Sequence, residues 1–183
     1  KQFDRRNKTS ALMPLFQDNF NVETENNAES VFAFQYSVND GSGGSNAAYG
    51  EAFNFPHGNT APIGCCGFFQ PSSELVNSYR TDNSGLPLLS GAYNDPVNIV
   101  IDDDGKESDD NSFVEDTGNL DPRLDWTVGR RGIPYYDWGV HPGKAWIRNQ
   151  TYGGPYSPKK NVYRKSQTGQ YVDQSWPGGP FNA

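Results

Sequence analysis

The sequence predicts an α+β chain, rich in loops and poor in regular secondary structure. Three observations carry that expectation. Its 183 residues include 20 glycines and 13 prolines, and both residue types interrupt helices and strands. The run Glu29–Val38 (ESVFAFQYSV) alternates as a strand does, with Phe32, Phe34, Tyr36 and Val38 on one face. The run Gln70–Arg80 (QPSSELVNSYR) opens like a helix: Ser72 is a good N-cap, Glu74 sits where the helix dipole favours an acid, and Leu75, Val76 and Tyr79 form an apolar face.

The other elements are shorter. In Lys1–Phe20, Ser10 is placed to cap a helical turn that Pro14 limits, and Leu12, Leu15, Phe16 and Phe20 are spaced to cover one side of it. Asn39–Ala48 (NDGSGGSNAA) is a loop by composition. Its GSGG run does not sit between a strand and a helix in phosphate-loop spacing. Tyr49–Gln70 is aromatic and broken by Pro56, Gly58, Pro62, Gly64 and Gly67. Asp82-Asn83-Ser84-Gly85 ends the helix. Val97–Ile101 reads as a short strand, and Arg123–Val128 as a second, with Leu124, Trp126 and Val128 on one face. Beyond Gly129 loops continue to the end, with Asn161–Arg164 extended. The length suits one domain, residues 1–183.

Composition narrows the function. Aromatic residues make up 14% of a chain only 34% hydrophobic, so rings must supply much of the burial. A net charge of −7 argues against nucleic-acid binding, which needs a basic face. No apolar stretch is long enough to span a membrane. Charge is segregated: Asp102–Asp116 holds eight acids and one lysine, whereas Asp137 is the only acid between Thr127 and Gln170. These patches are expected to offset each other or to be solvated faces.

Several sites can be weighed. Cys65 and Cys66 are adjacent without a second pair, so a four-cysteine zinc site within this chain is excluded; a vicinal disulfide or two buried thiols remain. His57 and His141 lie at irregular spacing from them. In the acidic run, placing Gly105 at the glycine of a calcium loop puts Val100 at the first ligand position and Asn111 where a bidentate Glu belongs. The motif fails at both anchors, and a solvated acidic turn is expected. Neither histidine lies in a nucleophile–base signature, no carboxylate pair stands out, and no cofactor is called for.

The aromatic loops are the real choice. Tyr135, Tyr136, Trp138 and Trp146 lie near Asp137, Arg148 and Asn149, a mixture that suits sugar recognition: flat rings against the C–H face of a pyranose, polar groups toward its hydroxyls. Loop packing is the alternative for each ring. Tyr49, Phe53, Phe55, Phe68 and Phe69 carry the same ambiguity. Trp126, within the expected strand, is assigned to the core.

The run from Asn119 to Gly129 (NLDPRLDWTVG), with Glu29–Asp40, Gly64–Tyr79 and Gly132–Tyr163 in the same order, resembles the SusD/RagB family of nutrient-binding outer-membrane lipoproteins of Bacteroidetes. The resemblance implies a fold of helical TPR-like repeats, of which this chain looks like the loop-rich insert, with the lipid anchor and most helices outside it. It further implies a cell-surface protein without catalytic activity. Such a protein captures glycans, or in some members peptides, over a SusC-like, TonB-dependent transporter. Ligand-stacking rings in the family follow no fixed motif. Tyr49, Phe53, Phe55, Phe68 and Phe69 are therefore candidates by position beyond the ESVFA strand, and Trp138 and Trp146 by composition. The alternative role is a docking module whose ligand contacts lie elsewhere.

Overall fold

Among the described residues the regular elements are only a few residues long, and side-chain hydrogen bonds and ring packing do the work that backbone ladders do elsewhere. The computed structural model describes residues 11–24, 26–30, 56–58, 60–62, 67–98, 103, 105–160 and 162–168. The body of the strand expected at Glu29–Val38, the residues Tyr49, Phe53 and Phe55, and the Cys65-Cys66 pair lie outside them.

The expected helix is present at Ser73–Asn77, where the Ser72 hydroxyl accepts the Leu75 amide at 3.1 Å. Val76 is buried and Tyr79 packs beside it, but Leu75 turns outward. The segment after the helix is held on both sides by isolated bridges, Arg80 to Leu120 and Thr81 to Pro87. Arg80 makes an ion pair with Asp116 at 2.6 Å, both side chains almost wholly enclosed. Near the N-terminus a short 3-10 helix spans Phe16–Phe20 after Pro14, and its two phenyl rings meet edge to face at 5.2 Å. Leu12 and Leu15 stay exposed, so the expected apolar face reduces to these two rings.

The second expected strand is not one. Leu124–Thr127 is a helical turn that becomes extended only at Val128. The Asp121 carboxylate accepts the Arg123 amide at 2.9 Å, and the Leu124 amide donates to the Asp121 carbonyl. This local bonding starts a turn after Pro122. Leu124 and Val128, both buried, are four apart and so fit a helical period as well as an alternating one. In the Val97–Ile101 run, Val97 and Asn98 sit in a turn, with Asn98 donating to Asp95 at 2.8 Å.

Among the described residues, one antiparallel ribbon joins two cores. Strand β1 (Val128–Gly129) pairs with β2 (Ser157–Pro158), Val128 opposite Pro158 and Gly129 opposite Ser157. On one side lie Val76, Leu124, Val128 and Tyr156; on the other lie Tyr135, Trp146, Val162 and Tyr163. Residues 132–141 form a hairpin in which Gly132 donates to His141 and His141 donates back to Ile133. Its tip inserts Tyr135 beneath the ribbon, where the ring leaves no room at Gly129. A Cβ there would lie 2.5 Å from the ring.

A polar relay ties the hairpin to β2. The Gly143 amide donates to His141 Nδ1 at 3.0 Å, so the imidazole proton is on Nε2, 2.9 Å from Ser157 Oγ. The Ser157 hydroxyl in turn donates to the Trp146 carbonyl at 2.7 Å. Burial, with the nearby Lys159 charge, lowers the His141 pKa from 6.5 to about 3.

Two tests follow from this ribbon. Gly129→Ala should lower stability by about 1–3 kcal/mol through overpacking against Tyr135, read by denaturant unfolding. Above pH 6.5 His141 is neutral in both folded and unfolded chains. As pH falls from there toward 3 the unfolded chain gains a proton that the folded chain refuses, so stability should drop by about 1.4 kcal/mol per pH unit. His141→Gln, which keeps an acceptor for Gly143 and a donor for Ser157, should remove that slope between pH 6.5 and 4.5.

Candidate ligand-binding surface

The rings named from the sequence divide by what surrounds them. Tyr135 is fully enclosed, 5.6 Å from Trp146 and 5.9 Å from Tyr136, and its hydroxyl donates to the Pro158 carbonyl. Trp146 is 7% exposed and packs on Tyr135 and His141. Sequence composition suggested a ligand role for both; instead they are brought together in the interior, where the ribbon needs filling. Trp138 is half-buried, edge-on to Tyr163, with its indole N–H donated to the Tyr163 carbonyl at 2.9 Å. Asp137 accepts the Lys165 and Ser166 amides at 2.7 and 2.8 Å, capping the turn Lys165–Gln167. Desolvation pushes its pKa up, but these amides outweigh it and hold the carboxyl below its usual range.

Phe68 and Phe69 behave differently. They are 44% and 57% exposed on a loop beside the helix at Ser73–Asn77. The Arg148 guanidinium stands 4.0 Å over the Phe68 ring. Two features bring these distant segments together. Gly67 adopts φ +65, and a Cβ there would meet His57 at 2.8 Å and Arg148 at 3.0 Å. Gln70 then clamps the far loop as a strand would: its Nε2 donates to the Asn149 carbonyl at 2.9 Å and its Oε1 accepts the Asn149 amide at 3.0 Å. Asn149 itself caps Gln150–Gly153.

Phe69 also forms one wall of a groove of about 380 Å³, with Pro71, Leu75, Pro158 and Lys160 among the other walls. A second groove of about 360 Å³ is lined by Phe16, Tyr79, Arg123, Leu75 and Lys160. The sequence reading missed Leu75 and Lys160. Leu75 belongs to a helix face expected to be buried, and Lys160 carries no motif.

The acidic run wraps around a cation from outside it, an arginine. Arg131 donates to the Asp103 carboxylate at 2.9 Å and to the carbonyls of Glu107, Ser108 and Asp110 at 3.1, 3.0 and 2.8 Å. Phe113 covers its guanidinium at 4.6 Å. A set of oxygens of the kind that would ligate calcium thus surrounds a guanidinium. Glu107 pairs with Lys144 as well, so the acidic and basic segments do offset each other at these positions.

Ser157 and His141 have the reach of a nucleophile and its base but the opposite polarity. The imidazole donates to the serine, its other nitrogen is occupied by Gly143, and both side chains are buried. The same two contacts occupy both ring nitrogens that a metal would need.

The ordered match of this chain to a known family settles the class. The profile of the SusD family matches residues 28–178. The chain belongs to the SusD family. Its members are cell-surface nutrient-binding proteins of the outer membrane, not enzymes. No curated protein matches the chain. No helix among the described residues of this SusD-family chain is long and apolar enough to cross a membrane.

Replacing Arg131 by Met should cost about 3–5 kcal/mol, because it removes the guanidinium paired with the buried Asp103 carboxylate. Arg131→Lys should recover only part, since an ammonium cannot reproduce the fork. Chemical denaturation of the three proteins measures both.

Proposed function

We propose that this chain binds a glycan on the surface made by Phe68, Phe69 and Arg148 and along the groove beside Phe69. The carrying observation is two adjacent phenyl rings left exposed on a loop that a buried glycine and a double amide clamp hold in place. Exposed rings on a fixed backbone stack on sugar faces with little ordering cost. The Arg148 guanidinium, 4.0 Å over the Phe68 ring, adds a positive charge to the same surface.

The family supports the rest of the reading. Residues 1–183 act as one unit, a loop-rich insert carried on helical TPR-like repeats outside this chain. Ligand passes from it to a SusC-like, TonB-dependent transporter at the outer-membrane surface, where a lipid anchor outside the chain holds the protein. Tyr49, Phe53, Phe55 and Trp138 are proposed as further ligand contacts on their ring chemistry alone. Leu86, Leu89 and Val97, all strongly exposed, favour a second role in docking the transporter.

A binding assay against a glycan panel and a peptide panel tests the first reading; binding to peptides alone would replace it with peptide capture. Phe68→Ala and Phe69→Ala should each weaken glycan binding about ten-fold with the melting temperature unchanged. Trp146→Ala should instead lower stability by about 3–5 kcal/mol. A Trp146 variant that keeps its stability and loses only binding would reverse the assignment.

A further inference from the structure

The two grooves share a wall. Leu75 and Lys160 line both, so the grooves are neighbours across one leucine and one ammonium. Lys160 is placed there by its own backbone, whose amide donates to the Thr127 carbonyl at 3.3 Å. Its ammonium stands 4.1 Å from the Phe20 ring centre and 5.6 Å from that of Phe16. Among the described residues it has no carboxylate partner. The other charges that line the two grooves are engaged: Lys159 donates to the Pro134 carbonyl at 2.7 Å, Arg123 forks onto Asp121, and Arg80 is paired with Asp116.

We infer that the ligand is an anionic oligosaccharide, and that Lys160 receives its carboxylate or sulfate group where the two grooves meet. This rests on the glycan-binding reading above and adds the charge of the ligand to it. An ammonium offers donors and no acceptor. Phenyl faces satisfy part of its charge but none of its hydrogen bonds. Phe69, Pro71, Leu75 and Pro158 give the groove apolar walls beside Gln70, Ser72, Thr127 and Lys159, and next to those apolar walls a counter-charge interacts more strongly than on an open surface. A neutral sugar offers this ammonium hydroxyl acceptors but no counter-charge, so it gains less here than an anionic one. The chain as a whole carries −7. Long-range attraction therefore does not explain anion binding, and the recognition is local.

Calorimetric titration of the full chain with three oligosaccharides of equal length tests this: an oligogalacturonate, a sulfated galactan and a neutral galactan. At least one anionic ligand should bind about ten-fold more tightly than the neutral one, the effect of one charge-assisted hydrogen bond. Comparing the carboxylated and sulfated arms identifies the group. Lys160→Met should reduce the preferred ligand to the neutral level, and Lys160→Arg should retain most of the preference. Lys160→Gln gives the same comparison if Met disturbs the fold, which thermal melts report. Equal affinity for neutral and anionic ligands, or a preference that survives Lys160→Met, overturns the inference and leaves glycan binding standing. Binding of none of the three overturns the glycan reading and this inference with it.

Discussion

Tyr135 is the constraint on which the rest of the molecule depends. Its ring lies under the β1–β2 ribbon, against Gly129, Trp146 and His141, and its hydroxyl holds the Pro158 carbonyl. Tyr136 beside it adopts φ +50, an uncommon conformation for a bulky side chain, and its hydroxyl binds the next carbonyl, that of Lys159, at 3.0 Å. Two tyrosines from one hairpin tip therefore fix the last residue of β2 and the residue after it. Burial raises both phenol pKa values, Tyr136 to about 12, so both remain hydrogen-bond donors throughout the neutral range. A ribbon of two residues per strand has little stability of its own. It persists because the side chains beneath it bond to its carbonyls.

The same economy of backbone structure governs the charges. A stretch of eight acids would repel itself as an isolated loop. Here Arg131 enters it from the segment after β1 and gathers carbonyls that have no ladder to join. Lysine 159 shows the opposite balance. Desolvation lowers its pKa to about 8, and Trp126, Tyr135 and Tyr136 surround the ammonium at 5.1–5.8 Å. Its folded pKa lies below its ordinary 10.5, so the charged form is disfavoured by folding, and this cost is present at neutral pH. The adjacent Lys160, with no such enclosure, is the cation left to a ligand.

How much of this was legible in the sequence depends on the range of the interaction. The helix at Ser73–Asn77 was readable because a cap acts over three residues, Ser72 to Leu75. The turn at Leu124–Thr127 was misread as strand because a run of six residues fits both periods, and the Asp121 side chain decided between them. Phe68 and Phe69 were among the rings named, but nothing local distinguished them from Tyr135 and Trp146. Exposure is set by partners far along the chain, such as Asn149 for the loop at Gln70. Lys160 had no signal at all, since its neighbours Phe16 and Phe20 lie about 140 residues away.

That distance has a consequence for recognition. The candidate surface draws its walls from the 3-10 turn at Phe16–Phe20, the loop and helix from Phe68 to Leu75, and the β2 exit at Pro158–Lys160. None of the three holds the others through a ladder; the β1–β2 ribbon places the third, and Gln70 and Gly67 place the second against the Arg148 segment. A ligand that bridges the grooves therefore binds only the assembled arrangement and stabilises it by mass action. Loop-rich architecture is then not an obstacle to specificity. Short elements leave the rings and the ammonium at surface positions that a longer helix or sheet would have covered, and Tyr135 and Tyr136 hold the backbone that leads to that ammonium.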